Sequence, residues 1–221
     1  MKQYFALRNY LNFNYFLITN KTKMKIQSLI LLLALFCSSI FVHAQSPKMK
    51  KAFNGKNFKG WVLPENNSWY TANDGILSIK SGPNKKGSII WTEKQYENFV
   101  IEADFKMGAG TVDSGIFLRT EKEQIQIGIS GSLKRDMTGS PYIPGKGYPK
   151  EAEGVKDILK LSDWNTMKVQ ADNKVYTVWL NGQKVLEYES ESAIEKGPIG
   201  IQLHAGKDMA IDYRNVKVGE I

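Results

Sequence analysis

Two stretches of the chain alternate apolar and polar side chains with the period of two that β-strands have. The stretch 115–127 has an aliphatic face and a polar face: Ile116, Leu118, Ile125 and Ile127 against Arg119, Gln124 and Gln126. The stretch 197–204 repeats the arrangement: Ile199, Ile201 and Leu203 against Gln202 and His204. A merely solvated face would more often carry Lys, Glu and Thr. The pattern therefore predicts a polar binding surface on the outside of a sheet.

The remaining apolar positions also predict strands. Alternation recurs at 101–105 and 167–171, and turn residues separate the runs. Asp172-Asn173 and Asn181-Gly182 predict tight turns, which would make a three-stranded meander of 165–188. Roughly ten short strands with regularly spaced turns favour an all-β fold, a β-sandwich or jelly roll.

The last strand contains a slip in its alternation. Ile211 and Tyr213 have one parity, and Val216 and Val218 have the other. A β-bulge at Arg214-Asn215 would restore the register. We therefore expect one continuous strand with a bulge rather than two strands.

Residues 130–163 break the strand pattern. They are rich in Gly, Pro and Tyr, and only 151–161 has the character of a short helix. A loop of this length in a compact domain is usually functional or disordered. Its aromatic and proline residues favour an ordered loop over the rim of the sandwich.

The N-terminus predicts export. Lysines precede an apolar run at 26–42, and Val42-His43-Ala44 has the small residues of a cleavage site. We expect 1–23 to be an over-extended start, 24–44 a signal peptide and 45–221 a single domain in the periplasm or outside the cell. An uncleaved membrane anchor is the competing interpretation. If the signal peptide is cleaved, we expect the mature chain to have no membrane span.

Charge and cysteine content narrow the function classes. Removal of 1–44 takes away five Lys/Arg and no Asp/Glu, which leaves 25 basic residues against 22 acidic ones. This balance gives no support for nucleic-acid binding. The single cysteine, Cys37, lies in the expected signal, so neither disulfides nor thiol chemistry are expected. One mature histidine and no Asp-rich loop predict no metal site, and no motif predicts a cofactor.

Six motifs in order resemble the family of the 3-keto-disaccharide hydrolase domain, also called the 3-keto-glucoside 1,2-lyase/3-keto-2-hydroxy-glucal hydratase domain and formerly a domain of unknown function. The resemblance covers about 50–218. Each motif is weak alone, but their common order makes the match specific. The motifs are Phe53–Trp61, Ser114–Arg119, Asp163–Asn165, Trp179–Gly182, Gly197–His204 and Tyr213–Val216.

The resemblance implies a concanavalin A-like jelly roll that acts on glycosides already oxidised at C3. A separate sugar 3-dehydrogenase would supply that substrate. The C3 ketone acidifies the C2 hydrogen, so that a base can remove it and the C1 oxygen can leave. Hydration of the resulting 2-hydroxy-glucal would complete the cleavage. Such chemistry needs a base, an electrophile for the oxyanion and a proton source, and not the opposed carboxylates of ordinary glycosidases.

The chain departs from the family pattern at one motif. The family usually has Glu and Asp where this sequence has Gln124 and Ile129. A candidate acid/base carboxylate is therefore missing. Either another group replaces it, with the loop beginning at 130 as one source, or the domain only binds sugar.

Two residues are the catalytic candidates. His204 is the first, because an imidazole is the side chain best suited to proton transfer near neutral pH, and the alternative is a structural histidine at a strand end. Arg119 could polarise the ketone or enediolate oxygen, and the alternative is an ion pair with Glu102 or Asp104.

Three glutamines, Gln124, Gln126 and Gln202, are candidates for binding sugar hydroxyls, because amides both donate and accept hydrogen bonds. The loop adds charged and aromatic candidates that could close over a sugar: Lys134, Arg135, Asp136, Tyr142 and Tyr148. The alternative is that the charged residues form an exposed cluster that contributes little and that the tyrosines anchor the loop. Trp61, Trp69, Trp91 and Trp164 are expected to be packing residues rather than platforms.

The sequence thus predicts an enzyme that cleaves 3-keto-glycosides. The runner-up is a non-catalytic, lectin-like carbohydrate-binding module that uses the same face. A surface interaction domain without a sugar ligand is a third alternative.

Overall fold

The computed structural model describes residues 47–221 and contains two antiparallel sheets. The expected signal peptide and start lie outside these residues. The six-stranded sheet has the order β2 (Trp61–Val62), β5 (Ser88–Tyr96), β13 (Gly197–Leu203), β7 (Asp113–Leu118), β8 (Gln124–Gly128) and β9 (Pro141–Tyr142). The larger sheet has the order β12 (Gln183–Glu189), β11 (Val175–Leu180), β10 (Asn165–Asp172), β6 (Phe99–Gly110), β14 (Met209–Glu220), β4 (Ile76–Lys80) and β3 (Tyr70–Asn73), and β1 (Lys50–Lys51) also pairs with β14.

The core consists of the apolar faces predicted from the alternation. The six-stranded sheet contributes Ile116, Leu118, Ile125, Ile127, Ile199, Ile201 and Leu203, which are all at most 1% exposed. The larger sheet contributes the matching faces of β6 and β10: Ile101, Ala103, Phe105, Met167, Val169 and Ala171. Each large apolar side chain buried in this way stabilises the fold by roughly 1.5–3 kcal/mol. The opposite face of β7, β8 and β13 is therefore turned away from the core.

The predicted meander and bulge are confirmed. Asp172 pairs with Val175, and Asn173 in the turn between them has a left-handed φ of 50°. Asn181 and Gly182 form the next two-residue turn with φ values of 51° and 86°, conformations that asparagine and glycine tolerate. The bulge in β14 falls between Arg214 and Lys217.

The Asp104 carboxylate holds this bulge in place. Its Oδ2 accepts hydrogen bonds from Asn215 Nδ2 at 2.8 Å and Arg214 Nε at 3.2 Å. Its Oδ1 accepts a hydrogen bond from the Thr166 hydroxyl on β10 at 2.7 Å. Asn215 adopts a positive φ of 53°, so the extra residue is accommodated where a side-chain partner can fix it.

The long segment 130–163 is an ordered loop, as its composition predicts. Two isolated bridges, Ile129 with Asp136 and Ile143 with Gly147, close two small loops on either side of β9. One turn of helix, α1 (Val155–Ile158), lies within the part that has helical character. Among the described residues, no helix is long and apolar enough to cross a membrane.

Candidate functional site

A cleft of about 290 Å³ opens on the outer face of the six-stranded sheet. Its floor consists of polar side chains from β7, β8 and the end of β13, and its walls come from the loop after β8 and the turn before β14. The lining residues are Asp113, Gln124, Gln126, Ser130, Gly131, Ser132, Lys134, Tyr142, Tyr148, Gln202, His204 and Lys207. The polar face predicted from the alternation is thus the floor of a real concavity.

Two of the glutamines are bonded to each other across β7. Gln124 Nε2 donates to Gln202 Oε1 at 2.7 Å and to the Ser114 carbonyl at 3.2 Å. This contact requires Gly115, because a Cβ at that position would lie 2.1 Å from Gln124 Nε2. The glycine therefore lets the Gln124 amide lie flat over the neighbouring strand and fixes the orientation of both amides.

Asp113, the first residue of β7, is the carboxylate of the cleft. Its Oδ1 accepts a hydrogen bond from Gln126 Nε2 at 2.8 Å, and the residue is only 2% exposed. Its Oδ2 is buried without a hydrogen-bond partner, 3.9 Å from both Lys207 Nζ and His204 Nε2. A buried carboxylate oxygen is costly to leave unpaired unless a ligand or a proton completes it.

His204 faces Asp113 with a defined tautomer. Its Nδ1 lies 2.7 Å from the Ala205 carbonyl oxygen, which can only accept. The neutral ring therefore carries its proton on Nδ1 and presents the Nε2 lone pair to the cleft. The side chain is 40% exposed, so a ligand can reach Nε2. Within residues 47–221, no three His, Asp or Glu side chains are placed to share a metal ion.

The loop after β8 forms one wall. The Ser130 hydroxyl accepts a hydrogen bond from the Leu133 amide and is 3.1 Å from the Ser132 hydroxyl. Lys134 follows with a left-handed φ of 59°, and its amide donates to the Ser130 carbonyl. This tight turn presents an ammonium group and two hydroxyls to the same cleft as the glutamines.

Tyr142 on β9 and Tyr148 after it also line the cleft, with ring centroids 5.2 Å apart and planes at 55°. Burial raises the pKa of Tyr148 and outweighs the opposing effect of the Ser130 hydroxyl. Tyr148 therefore stays protonated at neutral pH and remains a hydrogen-bond donor.

The structure brings most of the predicted residues together at this cleft, namely His204, Gln124, Gln126, Gln202, Lys134, Tyr142 and Tyr148. The prediction missed five further lining residues, namely Asp113, Ser130, Gly131, Ser132 and Lys207. Asp113 could have been found, since it has the same strand parity as Gly115 and so shares the outer face. Lys207 lies in the turn between β13 and β14, where alternation carries no information.

Arg119 is the main correction, because it is buried away from the cleft. Its guanidinium donates to the carbonyl oxygens of Glu97, Asn173 and Ala171 at 2.6, 2.8 and 3.2 Å. The ring of Phe99 packs against it, with the centroid 5.6 Å away. Arg119 has a φ of 66°, which ends the strand. Its side chain therefore does not point in the direction that the alternation of the strand predicts. It ties the end of β7 to the turn after β5 and to the end of β10 and the turn after it, and it does not pair with Glu102 or Asp104.

Arg135 and Asp136 also lie outside the cleft. Arg135 is exposed and forms an ion pair with Glu151. Asp136 accepts hydrogen bonds from the amide and hydroxyl of Thr138 and lines a separate groove beside α1. Burial raises the pKa of Asp136. Both residues stabilise the loop that carries Lys134 and do not contact the cleft themselves.

Comparison with known proteins agrees with the fold. The sequence model of the 3-keto-alpha-glucoside-1,2-lyase-like domain matches residues 48–219. No curated protein matches the sequence.

Solved structures with the same architecture include two proteins of Parabacteroides distasonis provisionally described as glycosyl hydrolases. One has 21% sequence identity and a TM-score of 0.60 over 78% of this chain and 94% of its own. The other has 24% identity and a TM-score of 0.58 over 79% and 100%. The carbohydrate-binding module CBM66 of Bacillus subtilis has 14% identity and a TM-score of 0.50 over 76% and 98%. The predicted jelly-roll β-sandwich is confirmed.

Proposed function

Since this chain belongs to the 3-keto-alpha-glucoside-1,2-lyase-like domain family, we propose that it cleaves 3-keto-glycosides by removing the C2 proton and expelling the C1 oxygen. The observation that carries the proposal is the convergence of Asp113, His204 and Lys207 in one cleft lined with amides and hydroxyls. This set supplies a base, a cation and a carboxylate without the family glutamate that Gln124 replaces.

In the first step, His204 takes the C2 proton. The C2–H bond breaks, its proton goes to Nε2, and its electron pair forms the C2–C3 double bond while the ketone oxygen becomes an enolate. Asp113 Oδ2, 3.9 Å from Nε2, stabilises the imidazolium that forms. Lys207 lies on the same side of Asp113 and stabilises the enolate oxygen. Lys207 thus has the oxyanion-stabilising role that the sequence analysis expected for Arg119.

In the second step, the enolate returns its electron pair, C1–C2 becomes a double bond and the C1–O bond breaks. The departing oxygen takes the proton back from the His204 imidazolium, which returns the ring to its neutral form. The products are the aglycone alcohol and a 3-keto-2-hydroxy-glucal. Addition of water across C1–C2 reverses these proton transfers and gives the free 3-keto sugar, so the proposal includes hydration.

The proposed substrate sets a further requirement. A ketone at C3 must first be made by oxidation of a sugar hydroxyl, and a separate sugar 3-dehydrogenase would supply it. Export of the mature chain to the periplasm or cell surface, as the N-terminal sequence predicts, would place the enzyme where glycosides enter the cell.

A second candidate is a non-catalytic carbohydrate-binding module that uses the same cleft. The observation that favours it is the replacement of the family glutamate by Gln124, whose amide is bonded to Gln202. An amide cannot act as a base, but it can hold a sugar hydroxyl.

The test is aglycone release from a chromogenic 3-keto-glucoside, with the unoxidised glucoside as substrate control. We expect release from the keto form alone, and at least a hundredfold loss in Asp113→Asn. Asp212→Asn, a change of charge on the other sheet, is the matched control. Binding of both sugars without release would instead support the binding module, and neither binding nor release would overturn both candidates.

A further inference from the structure

An aromatic surface continues from the cleft across the same face of the sheet. On neighbouring strands, Trp91 pairs with Gly200, Gly200 with Phe117, and Phe117 with Gln124. Side chains of directly paired residues lie on the same face of a sheet. Gln124 lines the cleft, so Trp91 and Phe117 lie on the outer face with it. Trp91, expected from the sequence to be a packing residue, is not part of the core between the sheets.

Gly200 determines where the Trp91 ring lies. A Cβ on Gly200 would come within 2.6 Å of Trp91 Cζ3, so the indole lies over β13 in the space that a side chain would fill. From there it contacts the ring of Phe117, with centroids 5.7 Å apart and planes at 46°. Phe117 is only 4% exposed, whereas Trp91 is half-buried and keeps part of its ring in solvent.

The position of this ring relative to the cleft fits a second sugar ring. Gln202, which lines the cleft, lies two residues beyond Gly200 on β13, and two residues of a strand span about 6.8 Å. This distance is similar to the spacing of adjacent rings in a disaccharide. Within residues 47–221, the Trp91 indole nitrogen has no hydrogen bond, whereas that of Trp61 donates to the Ala52 carbonyl. Trp91 therefore offers both a flat apolar surface and a free donor.

We propose that Trp91, supported by Phe117, is the platform for the aglycone, and that the preferred substrates carry a ring-shaped aglycone with an apolar face, either a second hexose or an aryl group. The inference rests on the proposed function, because it assigns the leaving group to the Trp91 side of Gln202. Rings with apolar faces stack on indole, and an acyclic alkyl aglycone gains little from such a surface.

The test compares Trp91→Leu with the unchanged protein on methyl, phenyl and hexosyl 3-keto-glucosides. We expect kcat/KM to fall roughly three- to tenfold for the phenyl and hexosyl substrates and to stay the same for the methyl substrate. Trp91→Tyr, which keeps a ring, should retain most of the preference. Trp179→Leu removes a half-buried tryptophan from the larger sheet and is the matched control. A loss confined to one of the two ring-bearing substrates identifies which kind of aglycone the platform serves.

An equal loss on all three substrates, or no loss on any, would overturn the platform. Absence of turnover on every substrate would count against the proposed function instead. In that case, titration of phenyl, hexosyl and methyl glucosides followed by tryptophan fluorescence tests the platform directly. The platform is supported if the ring-bearing sugars change the fluorescence and if this change is lost in Trp91→Tyr, or in Gly200→Ala, where the ring is displaced. A fluorescence change that both variants keep contradicts the platform.

Discussion

Nε2 of His204 and Oδ2 of Asp113 lie 3.9 Å apart, and within residues 47–221 neither atom has a hydrogen-bond partner. Two atoms at this distance can both reach a single ligand atom at about 2.8 Å. A hydrogen-bond donor of a ligand could therefore be shared by both atoms, and the cleft supplies the amides and hydroxyls to position such a ligand.

His204→Ala should reduce kcat on a 3-keto-glucoside by at least about a hundredfold, since general base catalysis contributes that much or more. The melting temperature should stay within about 2 °C, because the side chain is 40% exposed and makes one hydrogen bond to a neighbouring carbonyl. Kinetics and thermal unfolding of the same preparation measure both effects. A large drop in melting temperature would instead identify a structural histidine.

Arg119→Lys should weaken the fold without weakening the chemistry. The guanidinium bonds three carbonyl oxygens from three separate nitrogens, whereas a lysine ammonium has a single nitrogen, so we expect a loss of about 2–4 kcal/mol in the free energy of unfolding. Urea unfolding measures this loss, and kcat per folded molecule should be unchanged. A stable variant with a low kcat would restore the catalytic role expected from the sequence.

The contrast between His204 and Arg119 shows what the sequence could predict. Regular alternation gave the strands, the core faces and the shared face of the glutamines, because period two fixes side-chain direction within a strand. It failed at Arg119, one residue past β7, where a left-handed φ turns the side chain away. It carried no information on Lys207, whose position depends on how the turn before β14 packs beside Asp113. Asp113 follows the same period of two, but it lies just before the Ser114–Arg119 motif and outside it.

Gly115→Ala should raise KM for sugar substrates more than it lowers kcat. The added Cβ would lie 2.1 Å from Gln124 Nε2 and 2.7 Å from the Ile125 carbonyl oxygen, so the Gln124–Gln202 pair must separate. We also expect a loss of about 1–3 kcal/mol in the free energy of unfolding from the crowding.

A double-mutant cycle provides the control for Gly115→Ala. If the change acts through the amide, its effect on KM should largely disappear in a Gln124→Ala background. Additive effects of the two changes on KM would show that Gly115 acts through the backbone and not through Gln124.

Asp104 gives a prediction for the pH dependence of stability. Burial tends to raise the pKa of Asp104, but hydrogen bonds from Thr166, Asn215 and Arg214 outweigh it, and the pKa lies below its ordinary value. A carboxyl whose pKa is depressed by folding stabilises the protein above its unfolded pKa of about 3.9, and this contribution is lost as pH falls through the folded pKa.

Asp104→Asn should therefore lower the free energy of unfolding by about 1–2 kcal/mol at pH 7, because the amide lacks the negative charge that strengthens the hydrogen bonds from Asn215 and Arg214. The difference from the unchanged protein should shrink as the pH falls below about 4. Urea unfolding from pH 7 to pH 2.5 measures it. Asp212→Asn, on the same strand as Arg214 and without a hydrogen bond among the described side chains, should show no such pH dependence. A difference that stays constant across this range would mean that Asp104 acts by shape and not by charge.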